Sequence, residues 1–201
     1  MASGTDWIAR APARTSAVAF AIAAAALAAA MAAQASPRVE RRVSHYPVDG
    51  QSRAAWVAQM RAKGPVDPVS GRRYSGYTEW QVTWSWQSWP LGDGQCQIAY
   101  WDVAVDITIT LPEWRGRVGA GSMLVSQWDR FLADLNVHEA VHAGHGEQAA
   151  AEIERMFQAL PQRLPCNGSR RDIDRAAREI IADFRRRDRE FDRRTRHGIL
   201  P

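Results

Sequence analysis

Two stretches of strict alternation constrain this chain more than any other feature. In the first, Trp80, Val82, Trp84 and Trp86 alternate with Glu79, Gln81, Thr83 and Ser85. In the second, Val103, Val105, Ile107 and Ile109 alternate with Asp102, Ala104, Asp106 and Thr108. A period of two sends successive side chains to opposite faces, so each run reads as a half-buried strand. Pro90 and the Gly92-Asp93-Gly94 turn lie between them, and Leu111-Pro112 ends the second. Together they predict an antiparallel hairpin or meander. Indoles alternating on one face are expected in the core rather than as a stacking surface for carbohydrate.

Around that hairpin the periodicity is helical. Ser52 is placed to cap a helix from about Arg53 to Ala62, in which Trp56, Val57 and Met60 share a face. Gly64, Pro65 and Pro68 end it. Ahead of it, after a polar lead-in, Tyr46-Pro47-Val48-Asp49-Gly50 reads as a short extended piece and a turn. Beyond Gly121, Trp128, Phe131, Leu132, Leu135, Ile153, Met156, Phe157 and Leu160 mark the apolar stripe of a long helix that Pro161 and Pro165 stop. A last helix, roughly Arg171 to Thr195, is laced with pairs such as Asp183/Arg187 and Glu190/Arg194, which read as a solvated face. At 46% hydrophobic over 201 residues, the chain can bury one sizeable core. The expected fold is α+β, a small antiparallel sheet packed with a long helix and a C-terminal helix.

The first 35 residues read differently. Arg10 and Arg14 precede an alanine-dominated run from Ala17 to Ala33, and Ala33-Gln34-Ala35 has the small-x-small form of a signal-peptidase site. Residues 1–35 are therefore expected to be a signal peptide cleaved near Ala35, leaving 36–201 as a single secreted or periplasmic domain. The competing reading is a membrane anchor, which alanine serves poorly. No later stretch is apolar enough to span a bilayer. In an oxidising compartment the two cysteines, Cys96 and Cys166, are expected to pair. Closing that loop should stabilise the fold by about 4 kcal/mol. A formal charge of only +4 argues weakly for nucleic acid, and no such partner is expected.

Chemistry enters with His138-Glu139-Ala140-Val141-His142, an H-E-x-x-H sequence inside the long helix. Four residues make just over one turn, so both imidazoles leave one face and can meet one ion, with zinc the expected metal. Glu139 is then placed to act as general base on a water held by that ion. A catalytic zinc takes a third protein ligand. His145 lies seven residues from His138, about 10 Å along a continuous helix, too far for one ion unless the helix breaks at Gly144 or Gly146. The metzincin spacing is excluded, because Gln148 stands where its third histidine would be. Glu152, Glu179, Asp183 and Asp192 remain as carboxylate candidates, and His197 as the remaining histidine. Tyr74, Tyr77, Arg196 and His145 are candidates for stabilising an oxyanion.

In order and spacing, the chain resembles the bacterial family of predicted secreted zinc-dependent proteases, a group known as a domain of unknown function. The matching pieces are Tyr46-Pro47-Val48-Asp49-Gly50, Gly64-Pro65, Gly76-Tyr77-Thr78-Glu79-Trp80, Cys96, Leu111-Pro112-Glu113-Trp114, the H-E-x-x-H helix, Leu164-Pro165-Cys166 and Phe191-Asp192-Arg193-Arg194-Thr195-Arg196-His197-Gly198. The resemblance implies a zincin-like domain that hydrolyses protein or peptide substrates with zinc. It also implies His197 as third ligand, with Asp192 as its partner or as the ligand itself. Phe191 stands where the family commonly has tyrosine. Two other expectations stand beside it. One is a non-catalytic cell-envelope binding module on a metalloprotease-like fold, which exposed indoles would favour. The other is hydrolysis of peptidoglycan peptides by the same chemistry.

Overall fold

In the computed structural model, which describes residues 36–196, the two alternating runs pair as one long hairpin. Strands β2 (Tyr77–Gly92) and β3 (Gln95–Trp114) are antiparallel, with Trp80 opposite Ile107 and Trp84 opposite Val103. The turn is Asp93-Gly94, with φ of 48° and 76°. Positive φ at both central residues gives the hairpin turn whose twist matches that of its strands. Trp80, Val82 and Trp86 are buried on the inner face with Val103, Val105 and Ile107. The alternating indoles are thus core, as their period required.

The expected all-antiparallel sheet needs one correction. The polar lead-in is itself a strand, β1 (Arg38–Val48), and it pairs parallel to β3 from Arg38↔Ala104 to Val48↔Trp114. The sheet is mixed, in the order β1-β3-β2. Residues 38–45 of β1 are exposed, so their sequence carries no alternation to betray a strand. The charges of Arg38, Glu40, Arg41 and Arg42 suit an edge that must not recruit another chain. A short β4 (Leu164–Pro165) joins β3 beside Gln95 and Cys96.

Three helices complete the described residues. Helix α1 (Arg53–Lys63) starts where Ser52 Oγ accepts the Ala55 amide at 3.2 Å, satisfying an otherwise unpaired donor. Helix α2 (Ser122–Gln158) runs for 37 residues through Gly144 and Gly146 without a break. Helix α3 (Ser169–Thr195) buries Ile173, Ala177 and Phe184 and turns most of its arginines outward, Arg185 excepted. Its exposed ion pairs, such as Arg186–Asp183 and Arg193–Glu190, each contribute well under about 1 kcal/mol.

Trp80 locks the layers together. Its side chain rests on the bare backbone of Gly146, where a Cβ would lie 2.8 Å from the Trp80 Cβ. The Arg185 guanidinium stacks over its ring, 3.9 Å from the centroid. At the other end, Trp56 of α1, Trp114 of β3 and Trp128 of α2 meet edge to face or tilted, with centroids 4.6–5.7 Å apart. Cys96 and Cys166 form the expected disulfide, with Cα atoms 5.0 Å apart across 70 residues of sequence. Among the described residues no helix is long and apolar enough to cross a membrane. The signal-peptide reading of residues 1–35 and the candidate ligand His197 fall outside the described residues.

Candidate metal centre

The central helix presents His138 and His142 on one buried face, as their i,i+4 spacing requires. The last turns of α3 lie against that face. His142 Nε2 lies 3.2 Å from His138 Nε2 and 3.0 Å from Asp192 Oδ1, and His138 Nε2 lies 3.2 Å from the same oxygen. Three donor atoms therefore converge from two helices.

Their hydrogen bonds define which nitrogen faces inward. The Thr195 hydroxyl donates to the Phe191 carbonyl at 2.8 Å, so its oxygen accepts from His138 Nδ1 at 3.4 Å. Asp188 Oδ1 accepts from His142 Nδ1 at 2.8 Å. With the N–H of each ring on Nδ1, both Nε2 atoms turn lone pairs toward Asp192. Two imidazole lone pairs and a carboxylate oxygen at these distances repel unless a cation sits among them. A proton or a metal ion meets that need.

The distances suit a metal. Bonds of about 2.0–2.1 Å in a tetrahedral site place neighbouring donors about 3.3 Å apart. The observed 3.0 and 3.2 Å fall close to that. His138, His142 and Asp192 thus form a group able to hold a metal ion. Without one, burial works against a charged His142. The hydrogen bonds and charges of Asp188 and Asp192 outweigh burial and push its pKa up to about 10.

Glu139 sits beside this group and is itself buried. Its Oε2 accepts the Thr78 hydroxyl at 2.8 Å, and the same hydroxyl lies 3.2 Å from the Glu139 carbonyl. Gly76, at the entry to β2, packs so closely that a Cβ there would lie 2.7 Å from Glu139 Oε1. Burial raises the Glu139 pKa above the ordinary carboxylate value, against the lowering pull of Thr78 and the two imidazoles. Phe191 stacks on His138 with centroids 4.8 Å apart and meets His142 edge-on.

Among the residues singled out by sequence, His138, Glu139, His142 and Asp192 come together. His145 does not join His138, because α2 stays continuous; its Nδ1 donates to Asp188 Oδ1 at 2.6 Å instead. Tyr77 is also engaged elsewhere, its hydroxyl directed at Asp67 at 3.5 Å. Burial and the Asp67 charge push that phenol up to about 12. Arg196 is exposed beyond the end of α3.

Sequence reasoning missed Asp188. Its carboxylate is mostly buried and takes three hydrogen bonds, the third from Trp80 Nε1 to Oδ2 at 2.8 Å. A signal was present: Asp188 and Asp192 continue the spacing of the buried stripe Ala177–Phe184, whereas Asp172, Asp183 and Glu190 on the same helix pair with arginines.

Residues 43–198 match the model of a family described as Bacterial protein of unknown function (DUF922). The chain belongs to this family. The match takes in β2, β3, the H-E-x-x-H helix and the Phe191–Gly198 segment, so the residues of the metal-binding group all lie within family sequence. No curated protein and no solved structure matches the chain.

Proposed function

We propose that this protein is a secreted or periplasmic zinc-dependent peptidase of zincin-like build. The observation that carries this reading is the convergence of His138 Nε2, His142 Nε2 and Asp192 Oδ1 at 3.0–3.2 Å beside a buried carboxylate, Glu139. Two imidazoles and one carboxylate are a donor set that suits zinc, and three protein donors leave a fourth position for water or substrate. On this reading Asp192 is the third ligand; His197, which the sequence resemblance favoured for that role, lies outside the described residues. The disulfide is compatible with an exported protein.

Zinc bound there would supply Lewis acidity, lowering the pKa of a water toward about 7 and polarising a carbonyl. The chain's own part is proton handling. Glu139, a carboxylate whose pKa burial raises, is the base that takes the proton and returns it to a leaving amine. Thr78 fixes Oε2 and leaves Oε1 for that proton. Gly76 gives the carboxylate room. Phe191 offers no hydroxyl, so a peptidase built this way draws its oxyanion donor from elsewhere.

The test pairs metal analysis with one substitution. Purified protein should carry about one zinc per chain, and Glu139→Gln should keep that zinc while hydrolysis of peptides falls by about 10²–10⁴-fold. Metal retained with undiminished hydrolysis would refute Glu139 as the base. Peptidoglycan fragments assayed in parallel separate the two substrate classes. A binding module without catalysis draws on Trp89 and Tyr100, exposed near the hairpin turn. That reading requires Glu139→Gln to leave binding to cell envelopes intact and the unaltered protein to hydrolyse nothing.

A further inference from the structure

Asp188 lies one helical turn before Asp192, and the two carboxylates grip the same imidazole from its two ends. Asp188 Oδ1 is 2.8 Å from His142 Nδ1, and Asp192 Oδ1 is 3.0 Å from His142 Nε2. Asp188 also accepts His145 Nδ1 at 2.6 Å and Trp80 Nε1 at 2.8 Å. Its donors thus come from β2 and from two positions on α2, while its backbone belongs to α3. Through these bonds one carboxylate ties the sheet, the histidine helix and the last helix into one unit.

The cluster His142, His145 and Asp188 also has the composition of a metal-binding group. Chemistry argues against a second ion there. A neutral imidazole has one lone pair, and His142 directs that lone pair through Nε2 toward His138 and Asp192. Its Nδ1 then carries the hydrogen that Asp188 accepts. Asp188 is therefore an acceptor held in place by three donors, His142 Nδ1, His145 Nδ1 and Trp80 Nε1.

We propose that Asp188 is the positioning residue of this metal centre: it fixes the tautomer and ring orientation of His142, while Trp80 and His145 fix Asp188. The proposal rests on the reading that His138, His142 and Asp192 hold zinc. A carboxylate behind a ligating histidine orients the ring and raises its basicity, and its loss costs about 10–100-fold in metal affinity. Trp80 extends the chain of support into the core, because its own ring is trapped between Gly146 and Arg185.

The experiment uses the full chain and measures zinc affinity by competition with a chromophoric chelator. Visible spectra of the cobalt(II)-loaded protein and denaturant unfolding of the metal-free protein accompany it. Asp188→Asn should weaken zinc by about 10–100-fold and shift the cobalt bands, and Asp188→Glu should recover part of both. His145→Asn and Trp80→Phe, each leaving two of the three donors, should weaken zinc less. Ile173→Ala, a destabilised control far from the histidines in sequence, should leave affinity unchanged. Asp188→Asn binding zinc within two-fold of the unaltered protein would overturn the proposal, as would an equal loss in Ile173→Ala. Should Asp188→Asn not fold, His145→Asn decides: unchanged affinity and unchanged cobalt bands overturn it. An unaltered protein that takes up no zinc would overturn the metal reading itself, which the variants need not be made to reveal.

Discussion

On the proposed function, Gly76→Ala should separate metal binding from base catalysis. A methyl at position 76 would meet Glu139 Oε1 at 2.7 Å, Leu135 Cδ1 at 3.0 Å and Glu139 Cδ at 3.2 Å. Comfortable contacts begin near about 3.5 Å, so the carboxylate must retreat by somewhat less than about 1 Å. Gly76 is not among the glycines with positive φ, and alanine therefore adds bulk without backbone strain. Overpacking costs about 1–3 kcal/mol, and the stiffer unfolded chain returns about 0.4–1 kcal/mol. The net loss of stability should be at most about 2.5 kcal/mol. The three nearest contacts do not include His138, His142 or Asp192, so zinc should stay bound. Displacement of a catalytic group by about 1 Å costs about 10²-fold, equivalent to about 2.7 kcal/mol of barrier. The loss should appear in kcat with KM nearly unchanged, since the base acts in the transition state. Peptide hydrolysis, zinc per chain and urea unfolding measured on one preparation test this directly. A variant that holds zinc and turns over like the unaltered protein would refute both the Gly76 contact and the role of Glu139.

Two glycines within one turn of α2 should respond in opposite directions. At Gly146 an added Cβ meets the Trp80 Cβ and Cγ at 2.8 Å, atoms that cannot swing away, so Gly146→Ala should lower the urea midpoint by about 1–3 kcal/mol of stability. At Gly144 the nearest atom is Gln148 Nε2 at 3.8 Å, so Gly144→Ala should gain up to about 1 kcal/mol of helix propensity. In metal-free protein, His142 is more basic folded than unfolded, so its contribution is full below about pH 6.5 and lost as pH rises toward about 10. Asp188, held below its usual value, adds stability above about pH 4 that is lost at lower pH. Chelator-treated protein should therefore unfold more readily at pH 10 than at pH 6, and the stabilisation gained on adding zinc should be larger at the higher pH.

Much of this architecture was legible because its signals are local. The alternation at Trp80–Trp86 and Val103–Ile109 depends on one buried face, and Ser52 and Gly64 punctuate α1 by backbone chemistry. The histidine pair announces itself because four residues close one helical turn. Strand β1 was hidden because its exposed residues answer to no core, and its parallel pairing is set by the path of the chain through α1 and β2. From spacing alone Asp192 was one carboxylate among several, and only the family resemblance set it apart before α3 brought it to His142. Asp188 was masked by its neighbours, since on an arginine-rich helix a single acid reads as one more exposed pair.

The origin of the site in two distant helices also gives it a timetable. Asp188 and Asp192 follow His142 by 46 and 50 residues. At synthesis rates of about 5–20 residues per second, the carboxylates emerge about 2–10 s after the histidines they serve. Throughout that interval the H-E-x-x-H segment has no Asp188 or Asp192 to complete it. On the proposed function, the metal-binding group cannot assemble until the chain's last helix has been made.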